Sequence, residues 1–218
     1  TAYAKSIGPV EVSPERMDLS EIQNNRFCFP DAEAAKEAES YLDQKIAECD
    51  SVGGVVECVI SGLPVGLGEP VFEKLDANLA KAILSIGAVK GFEIGDGFAA
   101  TKACGSENND EFRMDGDKIV KETNHAGGVL GGISDGSDVI FRAAFKPTPS
   151  IAKSQETVTK DGENIDLVIH GRHDPVVVPR AVVVVESMAA ITAMDMLLMS
   201  MTSRLDLIQM FFQVENAD

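Results

Sequence analysis

Three short blocks of this sequence combine residue types that can bind an anion or move a proton. Residues 124–134 contain four glycines, and a backbone without side chains lets a flat or anionic ligand approach its N–H groups. Residues 171–175 place three ionisable groups, Arg172, His173 and Asp174, between a glycine and a proline. The third block follows a predicted strand and offers one cation and two hydroxyl groups beside stiffening prolines: Lys146, Pro147, Thr148, Pro149 and Ser150.

Each block also has an interpretation that needs no ligand. Glycine-rich segments commonly form tight turns packed under a sheet, and the residues alone favour that interpretation for 124–134. A lysine before a proline commonly marks a solvated passage from strand to loop. An ion pair between Arg172 and Asp174 that braces a loop is as well supported by the residues as a ligand site.

The composition indicates a globular protein with a large negative charge. The chain has 218 residues, 44% hydrophobic and 25% charged, and its formal net charge is −16. Such a charge repels phosphodiester backbones, so nucleic acid is not expected as a partner. Few cations lie inside or beside the informative blocks, so much of the positive charge needed for a polyanion is expected elsewhere: Lys90, Arg142, Lys146, Arg172 and Arg180.

The cysteines and the longest apolar stretch bear on the compartment. Four cysteines occur without a Cys-x-x-Cys pair or a histidine at metal-ligand spacing, which predicts free thiols in a cytosolic protein and no metal site. Residues 181–201 are apolar enough to suggest a membrane span, but Glu186 and Asp195 would be costly at bilayer depth. We therefore predict a buried or interface helix, opened by Pro179, and no membrane partner.

Apolar periodicity predicts the helices, and capping and turn residues mark their ends. One helix has Asp31 as its N-cap and is expected to end at Gly53 and Gly54, and a second runs over residues 71–85. Gly87, just after the second helix, is expected to take the left-handed conformation of a C-cap. The second helix should bury one apolar face: Phe72, Leu75, Leu79, Ala82, Ile83 and Ile86.

Strand patterns complete an α+β class, with antiparallel strands under helices. β-Branched or alternating stretches predict strands at residues 55–60, 89–94 and 139–145. Asp-Gly pairs predict hairpins over residues 111–120 and 155–169, because both residues of the pair suit a tight turn with positive φ.

Taken together, the blocks resemble chorismate synthase over roughly residues 55–198. The segments that carry the resemblance are Asn-His-Ala-Gly-Gly-Val-Leu-Gly-Gly-Ile-Ser at 124–134, Lys146-Pro147-Thr148, Gly171-Arg172-His173-Asp174-Pro175, and residues 61–70 and 88–98. The resemblance implies a β-α-β sandwich of antiparallel sheets and helices, built from two related halves.

Three motifs that family members carry nearer the N-terminus are not found in this sequence: Gly-Glu-Ser-His-Gly, Arg-Pro-Gly-His and Gly-Gly-Arg-Ser-Ser. We therefore expect residues 1–218 to be the C-terminal portion of such an enzyme, one domain whose N-terminal counterpart is missing. The family's two catalytic histidines lie in those motifs, so the histidines here do not inherit their roles. His170 and His173 are predicted to be structural, and His125 is a candidate to line a site.

The resemblance implies a lyase of the shikimate pathway for aromatic amino acid biosynthesis. Such an enzyme converts 5-enolpyruvylshikimate 3-phosphate to chorismate by 1,4-anti elimination of phosphate, using reduced FMN without net redox change. The family also implies NADP as an associated nucleotide, a cytoplasmic location and a homotetramer.

Particular residues inherit roles from the resemblance. Arg172 is expected to bind the substrate anion, and Asp174 to handle a proton beside the flavin. Pro149 stands where many family members have serine, which removes one hydroxyl contact. Flavin contacts carry over to Gly87, Ala88, Gly131, Lys146, Pro147, Thr148, Pro149, Ser150 and Arg172.

Two other functions are compatible with the residues. The chain could be a catalytically inactive fragment that folds and self-associates or binds flavin weakly, because the N-terminal motifs are missing. It could instead be a phosphate-binding α+β domain with another ligand, which is all that a glycine-rich segment and scattered cations require.

Overall fold

A computed structural model describes residues 1–171 and 173–214, and it combines α-helices with antiparallel strands. The strands are β1 (Ala2–Ile7), β2 (Val10–Glu11), β3 (Gly54–Ile60), β4 (Val89–Ile94), β5 (Phe112–Asp115), β6 (Lys118–Lys121), β7 (Val129–Leu130), β8 (Ile133–Ser134), β9 (Val139–Phe145), β10 (Gln155–Val158) and β11 (Asn164–Leu167). The α-helices are α1 (Ala32–Ala47), α2 (Leu75–Leu84), α3 (Val178–Thr202) and α4 (Leu205–Val214). The α+β class is confirmed.

Five strands form one antiparallel sheet in the order β2-β1-β3-β9-β4. β3 and β9 pair along their whole length, from Gly54 opposite Phe145 to Ile60 opposite Val139. Every second residue of β9 is buried, as its alternating sequence predicts, because successive side chains of a strand point to opposite faces. The two predicted hairpins are confirmed as separate ribbons, β5–β6 and β10–β11.

α2 and α3 cover the buried face of this sheet. α3 packs against β1 and β3, while α2 packs against β4 and α3. α2 buries Leu75, Leu79 and Ile83, as its periodicity predicts, but it begins at Leu75 rather than near residue 71. Phe72, expected on the buried face, is 90% exposed because residues 71–73 form a turn in which the N–H of Glu73 donates to the carbonyl of Val71.

α3 is long enough and apolar enough to cross a membrane by length and composition alone. In the structure one side of it lies on the sheet, with Pro179 in its first turn, which agrees with the predicted buried or interface helix. The buried side chains are Val178, Ala181, Val182, Val185, Ala189, Thr192, Ala193 and Met196. Its other side exposes an apolar set: Val183, Val184, Ile191, Met194 and Leu198.

α1 begins as predicted and ends earlier than predicted. The carboxylate of Asp31 accepts hydrogen bonds from backbone N–H groups of the first turn, which satisfies donors that have no partner inside the helix. The helix ends at Ala47, and Cys49 closes its last turn with a positive φ of 57°. Gly53 and Gly54 are therefore not its end, and Gly54 instead begins β3.

Candidate functional site

The glycine-rich segment folds into a small hairpin with a buried base and an open tip. At the base, a Cβ on Gly127 or Gly128 would meet backbone atoms of neighbouring segments at 2.3 and 2.5 Å. At the tip, Gly131 and Gly132 join β7 to β8 with φ angles of 62° and 89°. Nothing lies within 4 Å of a Cβ built on Gly131, so the tip backbone is accessible. The base is the tightly packed turn that the residues alone favour. The tip is accessible to a ligand.

A buried charge cluster holds the base of this hairpin. Lys121 Nζ lies 2.6 Å from Asp135 Oδ2 and 3.3 Å from Asp110 Oδ2. The same atom donates to Asn124 Oδ1 at 3.2 Å. The three charged side chains are only 2%, 6% and 3% exposed, in the order Lys121, Asp135 and Asp110. All three protons of the ammonium group therefore have an acceptor inside the protein.

Asp110 also holds the segment of backbone that leads into the glycine hairpin. Its carboxylate accepts from Thr123 Oγ1 at 2.7 Å and from the backbone N–H groups of His125 and Ala126 at 2.7 and 2.9 Å. Burial alone would raise the pKa of this carboxyl, but these three hydrogen bonds and the charge of Lys121 outweigh it and hold the pKa far below its usual range. Sequence reasoning missed Asp110 and Lys121, because no motif or spacing marks either residue.

The block at residues 146–150 leaves the sheet at the end of β9. The N–H of Lys146 donates to the carbonyl of Ala88 at 3.0 Å, so two predicted flavin segments are neighbours. Ser51 Oγ donates to the carbonyl of Thr148 at 2.7 Å. Thr148 Oγ1 is buried and has no hydrogen-bond partner among the described residues, which is costly unless a ligand or another segment supplies one. The other side chains are exposed or half-buried: Lys146, Pro147, Pro149 and Ser150.

The turn after α2 corrects one prediction. Gly87 does not take the left-handed conformation, and Ala88 takes it instead, with a φ of 70°. The backbone hydrogen bond from Val89 to Ile86 places the reversal of the chain one residue later than expected. A residue with a side chain costs about 1–2 kcal/mol in this conformation, and such strain is found preferentially at functional sites. Ala88 therefore stays in the candidate site for its backbone as well as its position.

Asp174 reaches the same end of the sheet. The N–H of Val52 donates to the carbonyl of Pro175 at 2.8 Å, which ties the Asp174 loop to the segment before β3. Asp174 Oδ2 accepts from Arg180 Nη1 at 2.5 Å, so α3 supplies the arginine that braces this loop. Arg172, expected to contact flavin and substrate, lies outside the described residues.

The three histidines have different surroundings. His173 Nε2 lies 3.0 Å from a backbone carbonyl four residues earlier, which agrees with a structural role. His170 is exposed beyond β11. His125 Nδ1 lies 2.7 Å from Asp96 Oδ2, and this histidine lines a cavity of about 670 Å³ whose walls include two phenylalanines. His125 lines this cavity, and its role in a functional site stays a prediction.

Two of the five cations expected to serve an anion, Arg142 and Arg180, are already paired. Arg142 Nη2 lies 3.1 Å from Glu93 Oε2 and donates to a backbone carbonyl at 2.6 Å, and Arg180 is bound to Asp174. Lys146 makes no ion pair within the described part of the chain, so its ammonium group is available to an anion beside Thr148.

The predicted site residues form two groups at opposite ends of α2. The carbonyl of Gly132 accepts from the N–H of Leu75, the first residue of α2, at 2.8 Å, which places the glycine tip at the N-terminal end. Ala88 and Lys146 lie beyond the C-terminal end. α2 has 10 residues, so the separation along the helix is about 15 Å at about 1.5 Å per residue. A single ligand that touches both groups must span that length.

Comparison with known proteins extends the resemblance to the whole sheet. The family model for chorismate synthase matches residues 1–198, so it includes β1, β2 and α1 as well as the region from residue 55 onward. The chain is 62% identical over 211 residues to the chorismate synthase of Agathobacter rectalis. It is 59% identical over 212 residues to that of Lachnoclostridium phytofermentans. Each alignment covers 97% of this chain and 58% of the relative.

A solved structure agrees with the sequence matches. A crystal structure of chorismate synthase superposes with a TM-score of 0.75 at 30% identity, covering 92% of this chain and 57% of that chain. The fold and these relatives define an α+β protein related to lyases of aromatic biosynthesis. This chain belongs to the chorismate synthase family, and it spans 58% of the length of the two relatives named above.

Proposed function

We propose that residues 1–218 are the C-terminal portion of a chorismate synthase, forming one domain that supplies flavin contacts to the active site. The complete protein converts 5-enolpyruvylshikimate 3-phosphate to chorismate by 1,4-anti elimination of phosphate. Reduced FMN, when bound, supplies the electron density that helps phosphate to leave and undergoes no net redox change. The identity of 62% across 97% of the chain supports this proposal.

The residues at the end of β9 fit a flavin mononucleotide. The buried hydroxyl of Thr148, which has no partner among the described residues, carries this part of the proposal, because a phosphate or ring oxygen can accept a hydrogen bond from it. Lys146, two residues earlier, supplies a cation that no described residue pairs with, and the open tip at Gly131 supplies backbone without a side chain. The proposed flavin contacts are Gly87, Ala88, Gly131, Lys146, Pro147, Thr148, Pro149, Ser150 and Arg172, the last of which also binds substrate.

Asp174 is the proposed proton-handling residue. Its side chain is 33% exposed, and its Oδ2 is held by Arg180. Its Oδ1 has no hydrogen-bond partner among the described residues, so one oxygen is fixed and the other is open to a ligand. A positioned acid or base of this kind contributes about 10²–10⁴-fold to a reaction rate.

Flavin titration under reducing conditions, combined with an assay of phosphate release, tests the proposal. The complete gene product should bind reduced FMN and release phosphate from 5-enolpyruvylshikimate 3-phosphate only when the flavin is reduced. Phosphate release without flavin would contradict the proposed reaction. Binding of phosphate alone, without flavin, would favour a general phosphate-binding domain instead.

A second candidate function is a folded fragment that self-associates, and the apolar set on the outer side of α3 favours it. Exposed apolar patches of this kind mark interaction surfaces. The cytoplasmic homotetramer that the family implies would cover such a surface in the complete protein. Light scattering on the isolated chain should show association that increases with concentration, whereas a constant monomer mass would contradict it.

A further inference from the structure

The buried cluster around Lys121 has no place among the proposed flavin contacts, yet it holds the segment that supplies one of them. We propose that Lys121 is a positioning residue for Gly131: it fixes the base of the glycine hairpin so that the tip presents its backbone to the flavin. This inference rests on the proposed function for its ligand, but its structural part can be measured without any ligand.

Each acceptor of Lys121 also holds backbone. Asn124 Oδ1 accepts from the N–H of Gly128 at 2.8 Å as well as from Lys121. Asp135 Oδ1 accepts a hydrogen bond from the N–H of Ser137 at 2.9 Å, while its Oδ2 accepts one from Lys121 Nζ. Asp110 holds the two N–H groups that follow Asn124. One ammonium group therefore joins side chains that fix the hairpin on both flanks.

The hairpin needs this support because its own residues cannot provide it. Four glycines with positive φ have no side chains to pack, and glycine loses more backbone freedom on ordering than any other residue. A buried ion cluster adds little net stability compared with apolar side chains of the same volume, whereas removal of one member leaves uncompensated buried charge. A cluster of this type is better explained by the conformation that it specifies than by the stability that it adds.

The tip is held at a second point, which leaves one glycine free. The carbonyl of Gly132 accepts from Leu75, and the side chain of Lys74 lies against the position of a Gly132 Cβ. Gly131 next to it has open space. With the base fixed by Lys121 and the tip seated on α2, the exposed peptide at Gly131 has one orientation.

The test replaces Lys121 by methionine in the complete gene product. Lys121→Met keeps the unbranched shape and most of the length of the side chain and removes its charge and donors. The dissociation constant of reduced FMN should rise at least about tenfold, which corresponds to about 1.4 kcal/mol. The kcat at saturating FMN should stay within about twofold, because Lys121 touches no reacting atom. Hydrogen–deuterium exchange in the peptide covering residues 122–137 should become faster.

Lys118→Met is the matched control, since Lys118 lies in β6 like Lys121 but is exposed, and it should change none of these quantities. Asp135→Asn keeps the acceptor and removes one charge, so it should give a smaller loss of FMN affinity, and it serves if Lys121→Met does not fold. A lower melting temperature with unchanged FMN affinity would overturn the inference, as would unchanged exchange in residues 122–137. If the wild-type protein does not bind reduced FMN, the proposed function fails, while the exchange measurement still decides whether Lys121 fixes the hairpin.

Discussion

The regions at the two ends of α2 differ in how their buried polar groups are hydrogen-bonded. At the glycine-rich end, Lys121, Asp110 and Asp135 are almost fully buried and fully hydrogen-bonded by their own chain. At the other end, within the described part of the chain, the hydroxyl of Thr148 is buried without a partner and Lys146 makes no ion pair. The first region is organised before any ligand binds. The second has a polar group without a partner among the described residues, which a ligand or another segment can supply.

Because of this difference, we expect substitutions in the two regions to affect different quantities, namely folding stability in the first and ligand affinity in the second. In the glycine-rich region, loss of a charged group should cost folding free energy first and ligand affinity as a result. In the Lys146 region, loss of a polar group should cost ligand affinity or turnover while the unliganded fold is spared. The four predictions below test that division, from the largest expected effect to the smallest.

The largest effect is expected for residues 1–218 alone, which contain both regions. With reduced FMN and 5-enolpyruvylshikimate 3-phosphate, this chain should form no detectable chorismate. The family motifs that supply two catalytic histidines and an arginine-rich segment are not in this sequence. Acid–base groups each contribute about 10²–10⁴-fold, so losing several removes measurable turnover. The complete gene product is the control, and turnover near its rate would show that the described regions suffice.

Asp174→Asn should lower kcat by about 10²–10⁴-fold, with reduced FMN and substrate still bound, because the amide keeps the shape but cannot exchange a proton. Steady-state kinetics and FMN titration on one preparation measure both quantities. Arg180→Met removes the same ion pair but keeps the carboxylate, so it should retain most activity. If Asp174→Asn instead loses binding and thermal stability with normal turnover, the residue only braces the loop.

Asp110→Asn should destabilise the protein by about 3 kcal/mol at pH 7, because it breaks a buried charge pair. The pKa of Asp110 is held far below its usual value, so as pH falls below about 4 the unfolded state takes up the proton first. The stability that Asp110 contributes is therefore complete above that pH and is lost as pH falls towards the folded pKa.

Urea unfolding midpoints at pH 7 and pH 3 measure this dependence. The difference in stability between wild type and Asp110→Asn should be smaller at pH 3 than at pH 7. Asp115→Asn, an exposed substitution at the end of β5, should leave both midpoints unchanged. Equal destabilisation by Asp110→Asn at the two pH values would show that the charge of Asp110 is not what holds the hairpin.

Thr148→Val should have the smallest effect and the most specific one. Valine keeps the shape of threonine without its hydroxyl, so the melting temperature of the ligand-free protein should stay the same or rise. The affinity for reduced FMN should fall by about tenfold if the flavin bonds to this hydroxyl. Thr157→Val on the exposed face of β10 is the control. Unchanged FMN affinity in Thr148→Val would remove the hydroxyl from the proposed site.

Local sequence patterns predicted the elements well where one residue decides the conformation. The alternation in residues 139–145 predicted burial of every second residue, because successive side chains of a strand point to opposite faces of the sheet. Asp31 caps α1 because its side chain can reach the N–H groups of the first turn. The errors arose where a contact from elsewhere decided. α2 begins at Leu75, whose N–H donates a hydrogen bond to the carbonyl of Gly132. After α2, Ala88 rather than Gly87 adopts the positive φ that reverses the chain.

The sequence named candidate site residues but did not predict how they are arranged. Motif resemblance identified Gly131, the block at 146–150 and Asp174 as candidates. It did not indicate that the glycine tip and Lys146 lie at opposite ends of α2, because one-dimensional spacing carries no such distance. Nor did it mark Lys121, whose type and neighbours are those of an exposed strand residue.

The sequence by itself determined the α+β class, the antiparallel strands, the family and the candidate ligand segments, because periodicity, turn residues and motifs are local properties. Only the tertiary structure decided which polar groups are buried together and which lack a partner. Burial is a property of distant segments meeting, as Lys121 meets Asp110 and Asp135, and as Ser51 meets the carbonyl of Thr148. The low-dielectric interior makes each of those pairings energetically significant, as it does the bond that Thr148 Oγ1 lacks among the described residues.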